Sequence, residues 1–315
     1  MNGTVVASAP GKLIILGEHA VVYGKPAVAL AIDKRIRCTL RNDPETVLNG
    51  KYFEADRHPY LVHMLRKSTH PIRIETESQI PPGSGLGSSA ALSASFLKAL
   101  NFLNKTEKDD EGLAKEAFLT EYEVQGRASP LDTSASVHGM GIAVNGPEDA
   151  GEHLWDITMN ENRWSVSDIR IPKMTIVVGY TGVHAPTGPL VEKVRRYKNK
   201  CGFASDIIDE IGKITTDGMS ALNKGDLVEL GGLMTEDHKL LSILGVSCDE
   251  LNKLVNASLR YSYGAKLTGA GGGGSMIALT DRPEKVCESI TLHGGTPFVV
   301  RTGEPGAVIE RHVSE

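Results

Sequence analysis

The chain has 315 residues, of which 40% are hydrophobic and 23% charged, a composition typical of globular proteins and unlike that of disordered or fibrous ones. Its formal net charge is −5, so we expect neither a nucleic-acid surface nor an anionic-membrane surface, both of which need basic patches. The 4 cysteines form no C-x-x-C pair, which argues against a disulfide framework and against a structural zinc site.

The first 40 residues are predicted to be strands separated by tight turns, and residues 71–77 are predicted to be a further strand. Residues 4–8, 12–16, 35–40 and 71–77 are β-branched and apolar, or alternate between polar and apolar, and Pro10-Gly11 is a turn signal between the first two. The apolar stretch that follows residue 4 ends at Lys12, before the core of a signal peptide could form. We therefore expect a cytoplasmic protein without membrane contact.

A glycine-rich loop, PPGSGLGSS over residues 81–89, leads directly into a predicted helix. Ser88 or Ser89 is expected to cap this helix, whose apolar stripe consists of Leu92, Phe96, Ala99 and Leu103. Such a turn exposes backbone N–H groups at the positive end of a helix, which favours a phosphate. No lysine follows the glycines and their spacing is not G-x-G-x-x-G, so this is neither a Walker A loop nor a dinucleotide-binding fingerprint.

The next predicted helix, over residues 109–125, carries a carboxylate on its apolar stripe. Leu113, Ala117 and Val124 follow the stripe, and Glu121 stands where the pattern requires an apolar side chain. A local inconsistency of this kind is typical of a functional site.

The second half of the chain alternates between helices and strands, and a domain boundary is predicted near residue 170. A second glycine-rich segment, TGAGGGGS over residues 268–275, lies between two predicted strands, where it would let another backbone or a ligand approach closely. The expected domains are residues 1–170 and residues 171–315. Predicted helices cover residues 189–199, 205–222, 226–242, 250–260 and 284–291, and predicted strands cover 174–180 and 297–302.

Together the motifs indicate a family. The segments APGKLIILGEHAVVYG (9–24), PPGSGLGSSAALSAS (81–95) and KLTGAGGGGS (266–275) resemble, in order and separation, the three motifs of the GHMP kinase superfamily. Within it, GEHAVVYGKPAVALAI is similar to the version in mevalonate kinases. The resemblance implies an α+β fold of two domains. The N-terminal one has a mixed sheet and the phosphate loop, the C-terminal one is ferredoxin-like, and the active site lies in the cleft between them.

The resemblance also implies a reaction: ATP-dependent phosphorylation of the primary hydroxyl of mevalonate to 5-phosphomevalonate, in the mevalonate pathway of isoprenoid biosynthesis. Asp132 matches the catalytic base of the family and Lys12 the lysine beside it. Ser89 and Glu121 would hold Mg²⁺, with Ser88 as the alternative to Ser89. The ATP phosphates would bind the loop residues Pro82, Gly83, Ser84, Gly85, Leu86, Gly87, Ser88 and Ser89.

The acceptor side follows from the same resemblance. Glu18, His19 and Tyr23 match positions near the polar groups of mevalonate, although Tyr23 stands where some relatives have His. Relatives also suggest a homodimer. The second glycine-rich segment would support the site through Gly269, Gly271 and Gly272.

Three alternatives stay open at this level. The first is a related kinase that acts on phosphomevalonate or on a different hydroxyl of mevalonate; a phosphorylated acceptor would need further basic residues, for which Arg127 is the candidate. The second is a catalytically inactive, metabolite-sensing relative, against which the joint presence of Lys12, Ser89, Glu121 and Asp132 argues. The third, an NAD-binding domain, lacks its glycine fingerprint.

Overall fold

The structure is a computed structural model that describes residues 3–126, 128–184 and 186–314, so Arg127 lies outside the described residues. Within these ranges no helix combines the length and apolarity that crossing a membrane requires.

The strands are β1 (Gly3–Leu16), β2 (Ala27–Asn42), β3 (Val47–Leu48), β4 (Lys51–Tyr52), β5 (Ile72–Ser78), β6 (Gly141–Val144), β7 (Glu152–Met159), β8 (Asn162–Asp168), β9 (Ile176–Tyr180), β10 (Gly264–Thr268), β11 (Ser275–Leu279), β12 (Thr296–Val300) and β13 (Val308–Ser314). The helices are α1 (Pro59–Leu65), α2 (Ser88–Leu103), α3 (Asp110–Gln125), α4 (Leu131–His138), α5 (Thr187–Lys200), α6 (Gly202–Lys224), α7 (Leu227–Ile243), α8 (Asp249–Leu259) and α9 (Pro283–Leu292).

Nine strands form the first sheet, which is mixed because β3 and β5 run parallel while the other pairs are antiparallel. Its strand order is β4-β3-β5-β2-β6-β8-β7, and β1 pairs with both β2 and β13. Helices α2 and α4 pack on β1 and β2. Their buried faces and the nearly continuous apolar runs of these two strands form the main hydrophobic core.

The second sheet has four antiparallel strands in the order β10-β11-β9-β12. Helices α7 and α8 pack on β10, and α9 packs on β9 and β12, which gives this half a second apolar core. Helices α6 and α7 also contact β1. The two sheets are therefore joined through the strand that carries the first motif.

The predicted boundary at residue 170 falls between β8 of the first sheet and β9 of the second. The last strand, however, returns to the first sheet: β13 pairs with β1 in antiparallel register, with Gly3 opposite Ser314 and Val5 opposite His312. Residues 308–314 thus belong to the first sheet, although the predicted second domain included them. The sequence pattern does not predict this strand.

The turn expected at Pro10-Gly11 was a wrong prediction. Residues 3–16 form one continuous strand, and its pairing with β2 shifts register between Pro10 and Lys12. Sheet pairing on both sides of the Pro-Gly step overrides the local turn signal, and the extra residues at this irregularity lie in the partner strand β2, because Pro10 pairs with Arg35 and Lys12 with Ala31. The irregularity places Lys12 beside the phosphate loop, where its backbone N–H donates to the Leu86 carbonyl at 3.0 Å.

Candidate active site

A cavity of about 360 Å³ lies where the two halves of the chain meet. Residues of all three motifs line it, together with side chains from α3, from the start of α4 and from the segment that enters α5. From the predicted set, the lining includes Lys12, Glu18, His19, Gly83, Ser84, Gly85, Gly87, Ser88, Ser89, Glu121, Asp132, Gly269 and Gly271.

The phosphate loop ends at the N-terminus of α2. Gly83, Gly85 and Gly87 have φ values of 66°, 76° and 75°, the left-handed region that favours glycine. The helix begins at Ser88 with Gly87 as its N-cap, and no side chain caps it. The prediction that Ser88 or Ser89 is the cap was therefore wrong, because both lie inside the first turn. The uncapped N–H groups beside the cavity form a site suited to an anion.

Three further predicted loop residues differ in their position: Pro82 and Leu86 lie outside the cavity lining, whereas Ser84 belongs to it. The Tyr180 hydroxyl donates to the Pro82 carbonyl at 3.2 Å. Leu86 is fully buried in the main core. Ser84 lines the cavity, and its buried hydroxyl has no hydrogen-bond partner in the structure.

Lys12 and Asp132 form an ion pair inside the cavity. Lys12 Nζ lies 3.0 Å from Asp132 Oδ2 and donates to the Gly85 carbonyl at 3.3 Å. The lysine side chain is 2% exposed, whereas that of Asp132 is 28% exposed. Gly87 makes room for it, since a Cβ there would lie 2.8 Å from Lys12 Cγ. The contacts bring β1, the phosphate loop and α4 together, as the motifs predict.

Glu121 is buried on α3, next to this ion pair. Its Oε1 accepts a hydrogen bond from Gln125 Nε2 at 3.2 Å, and its Oε2 has no hydrogen-bond partner in the part of the chain that the structure describes. Burial, and then the charge of Asp132, raise the pKa of Glu121 to about 8. The charge of Lys12 thus only partly offsets the two carboxylates, and carboxylate and hydroxyl oxygens are ligands that Mg²⁺ accepts. Glu121 and the nearby serines therefore fit a magnesium ion. Among the described residues, no group of three His, Cys, Asp or Glu side chains could hold a metal by itself.

Sequence reasoning missed two residues beside Glu121. Gln125, one helical turn further along α3, also donates to the Tyr60 hydroxyl at 2.6 Å. Burial, followed by the charge of Glu121, raises the pKa of that hydroxyl. The i, i+4 spacing of Glu121 and Gln125 is a signal that could have indicated the amide. Nothing in the sequence connects Tyr60, on α1, with this site.

The residues predicted to bind the acceptor lie in two different places in the structure. Glu18 and His19, in the turn after β1, line the cavity. The His19 Nε2–H donates to the Ala270 carbonyl at 2.9 Å, and burial lowers the pKa of the imidazole to about 4. Glu18 is paired with Lys266. Tyr23 is not among the residues that line the cavity: it packs against the second core, with Lys198 Nζ 5.2 Å from its ring centre.

The second glycine-rich segment lies against the phosphate loop. A Cβ on Gly85 would be 3.0 Å from the Thr268 carbonyl oxygen, and one on Gly269 would be 3.0 Å from that of Gly85. The Thr268 hydroxyl donates to the Ile14 carbonyl at 3.1 Å and accepts from the Ile14 N–H at 3.0 Å. The glycines thus allow two loop backbones to approach closely, one of the two possibilities that the sequence left open. Gly272 lies outside the lining; its N–H donates to the Val246 carbonyl.

A further part of the cavity wall comes from the segment that enters α5, which sequence reasoning did not single out. His184, Pro186, Thr187 and Val191 line the cavity there. They follow β9 of the second sheet, so the walls of the cavity come from both halves of the chain.

Comparison with known proteins agrees with this arrangement. Residues 57–140 match the family model of the GHMP kinases N terminal domain, and residues 219–294 match that of the GHMP kinases C terminal domain. The chain is 34% identical to the mevalonate kinase of Thermococcus onnurineus, over 97% of this chain and 98% of that protein. It belongs to the mevalonate kinase family. The mevalonate kinase of Pyrococcus furiosus is 35% identical, over 97% of this chain and 98% of its own.

A solved mevalonate kinase has the same fold. The crystal structure of L. major mevalonate kinase in complex with R-mevalonate superposes with a TM-score of 0.79 and 26% identity, covering 95% of each chain. The predicted superfamily, the two-domain α+β fold and the class of small-molecule kinase are thereby confirmed. The roles of single residues stay predictions.

Proposed function

We propose that the chain transfers the γ-phosphoryl group of ATP to the primary hydroxyl of mevalonate, giving 5-phosphomevalonate and ADP. The observation that carries this proposal is the Lys12–Asp132 ion pair, 3.0 Å long, beside the uncapped N-terminus of α2. A proton acceptor and a fixed positive charge thus face the place where a phosphate chain would bind. Phosphoryl transfer needs little more from a protein than positioning and electrostatic stabilisation.

The nucleotide side of the reaction is assigned to the phosphate loop. The N–H groups at the start of α2 bind phosphate oxygens, and the Ser84 hydroxyl, which has no hydrogen-bond partner among the described residues, is a further donor. Lys12, fixed by Asp132 and by the Gly85 carbonyl, stabilises negative charge on the group being transferred.

Glu121 and Ser89 would hold Mg²⁺, with Ser88 as the alternative hydroxyl. When bound, the ion neutralises charge on the phosphates of ATP. The support for this assignment is the unpartnered, buried Oε2 of Glu121. Gln125 orients the carboxylate through its hydrogen bond to Oε1.

The acceptor side is assigned to Asp132 and His19. Asp132 accepts the proton of the attacking hydroxyl, because its carboxylate is the more exposed member of the ion pair. His19 is neutral, and since its Nε2–H donates to Ala270, its Nδ1 is an acceptor. That nitrogen is buried and has no partner in the structure, so it is available to a hydroxyl of mevalonate.

The test is an assay of ADP release with mevalonate, phosphomevalonate, galactose and homoserine as acceptors. We expect turnover with mevalonate to exceed that with each of the others by at least about a hundredfold. Comparable turnover on galactose, and none on mevalonate, would refute the proposal. We also propose that the enzyme acts in the cytoplasm as a homodimer. Light scattering of the purified protein tests whether it is a dimer.

A further inference from the structure

Three charged side chains from distant parts of the chain meet beneath the candidate active site. Lys266 of β10 donates a short hydrogen bond to Glu18 Oε1, and its Nζ lies 3.3 Å from Asp237 Oδ2 on α7. All three side chains are at most 1% exposed. We call them the buried triad. Lys266 and Asp237 do not belong to the cavity lining, so neither is placed to touch a substrate.

The buried triad contains two carboxylates and one ammonium group. Glu18 Oε2 and both Asp237 oxygens have no hydrogen-bond partner in the structure. Burial raises the pKa of Glu18 to about 8 and also raises that of Asp237, because one lysine can offset only one of the two negative charges. Both carboxylates are therefore easier to protonate than a carboxyl group in water.

The neighbouring imidazoles do not supply the missing positive charge. His19, in the same turn as Glu18, and His238, on α7 beside Asp237, face this region, and burial lowers the pKa of each to about 4. His238 Nδ1 accepts from the Leu267 N–H, so the ring is engaged as a neutral acceptor. Among these described neighbours, Lys266 is therefore the group whose charge offsets the two carboxylates.

The turn above the buried triad is conformationally strained. His19 has a φ of 60°, a left-handed conformation that residues other than glycine adopt only when their surroundings hold them there. The Glu18–Lys266 ion pair and the His19–Ala270 hydrogen bond connect this turn to the second half of the chain. Both lead to the segment formed by β10 and the glycine-rich loop. The position of His19 in the cavity is thus fixed from below by Lys266.

We propose that Lys266 is a positioning residue for the acceptor pocket: clamped between Glu18 and Asp237, it holds the strained turn so that His19 Nδ1 faces the acceptor. This inference rests on the proposed function, which names mevalonate as the acceptor and assigns His19 to the acceptor side. It gives Glu18 an indirect role, through the turn, in place of direct contact with the substrate.

The first test compares Lys266→Met with a neutral triple variant, Glu18→Gln/Lys266→Met/Asp237→Asn. Lys266→Met leaves two buried carboxylates without a cation, so its melting temperature should fall, and the triple variant should recover most of that loss. Both should raise the KM for mevalonate by about tenfold or more while the KM for ATP changes by less than about twofold.

The decisive result is the KM of the triple variant. If it melts like the wild type and also has the wild-type KM for mevalonate, the buried triad is structural only and the proposal is wrong. The triple variant also keeps the test valid if Lys266→Met alone does not fold. Lys25→Met is the matched control, because Lys25 follows the same turn but pairs with Asp209 at the surface; it should change neither KM.

A second measurement does not depend on activity. Because the folded-state pKa of Glu18 is raised from 4.5 to about 8, wild-type stability should fall as the pH rises between these values. Asp237→Asn removes the second carboxylate, so its melting temperature should exceed that of the wild type by a margin that widens from pH 5 to pH 8. Parallel melting curves across this range would overturn the charge balance argued for the buried triad.

These outcomes separate the inference from the proposed function. If wild-type enzyme phosphorylates another acceptor and not mevalonate, the proposed function fails, and the KM comparison is made with the acceptor that it does use. If mevalonate is the substrate and the triple variant binds it normally, only the positioning role of Lys266 fails.

Discussion

Replacing Glu121 by glutamine should stabilise the protein without ligand while weakening its dependence on magnesium. The variant keeps the shape of the side chain and its contact with Gln125, and it removes a carboxyl group that the apo protein does not compensate. A metal ligand is expected to behave in this way, because its charge is balanced only when the cation is bound.

The size of the effect follows from the pKa of Glu121, which is raised from 4.5 to about 8. Above pH 4.5 the unfolded chain releases this proton, whereas the folded chain retains it up to about pH 8, so wild-type stability declines over that interval. At pH 7 the accumulated loss is as much as about 3 kcal/mol. Glutamine does not titrate, so Glu121→Gln removes this loss of stability. The melting temperature should therefore rise by about 2 °C for each kcal/mol of unfolding free energy gained.

The assay has two parts, melting temperature without ligand from pH 5 to pH 8.5 and activity as a function of Mg²⁺ concentration. For Glu121→Gln, the gain in melting temperature should grow with pH, and the Mg²⁺ curve should move to higher concentration with lower turnover. Raised Mg²⁺ should recover part of the activity. A large drop in apo melting temperature together with an unchanged Mg²⁺ curve would refute the assignment of Glu121 as a metal ligand.

Glu116→Gln is the matched control on the same helix. Despite its partial burial, the pKa of Glu116 is lowered by Asn101, Lys108 and Lys67, whose atoms contact the carboxylate. Its contribution to stability is therefore present above pH 4.5 and lost as the pH falls below it. This substitution should lower the melting temperature at pH 7 and leave the Mg²⁺ curve unchanged, the opposite of the result expected for Glu121.

Three further substitutions test the reacting groups by steady-state kinetics. Asp132→Asn keeps the shape of the side chain and removes the proton acceptor, so turnover should fall by about 10²–10⁴ while the KM for ATP stays nearly constant; near-normal turnover would exclude Asp132 as the base. Lys12→Met should also depress turnover, and because Lys12 Nζ lies 3.0 Å from Asp132 Oδ2, the losses should be less than additive in the double variant. His19→Ala should raise the KM for mevalonate more than that for ATP, and an equal or larger effect on ATP would move His19 to the nucleotide side.

Local sequence patterns predicted most of the helices and strands. The acidic start of α3 is an example, because Asp109 caps the helix by accepting from the Gly112 N–H, and Asp110 and Glu111 follow in its first turn. The errors arose where tertiary pairing overrides a local signal. Pro10-Gly11 is a strong turn signal, yet β2 pairs with the chain on both sides of it. The strand β13 follows a Pro305-Gly306 turn signal but shows no regular polar–apolar alternation, and it forms by pairing with β1, some 300 residues earlier in the chain.

The candidate site could be predicted where a residue violates its local pattern. Glu121 interrupts an apolar stripe, and the glycines of residues 83–87 have no purely local use, so both could be recognised without a structure. Tyr60 obeys its local pattern, as an ordinary aromatic residue on a short helix. Its place beside Gln125 depends on how α1 packs on α3, which no local pattern encodes.

The burial and the partners of Lys266 could not be predicted from the sequence, for a different reason. It sits in β10 with buried neighbours on both sides, and its partner Glu18 is 248 positions away in the sequence. A lone lysine in a strand predicts a solvated side chain, since a buried one is costly without an opposite charge. Only the fold shows that two carboxylates, from the turn after β1 and from α7, surround it. Lys266 pairs with a residue of the other half of the chain, and no local pattern predicts such a contact. The same contact allows Lys266 to fix a turn of the first half against the glycine-rich loop of the second.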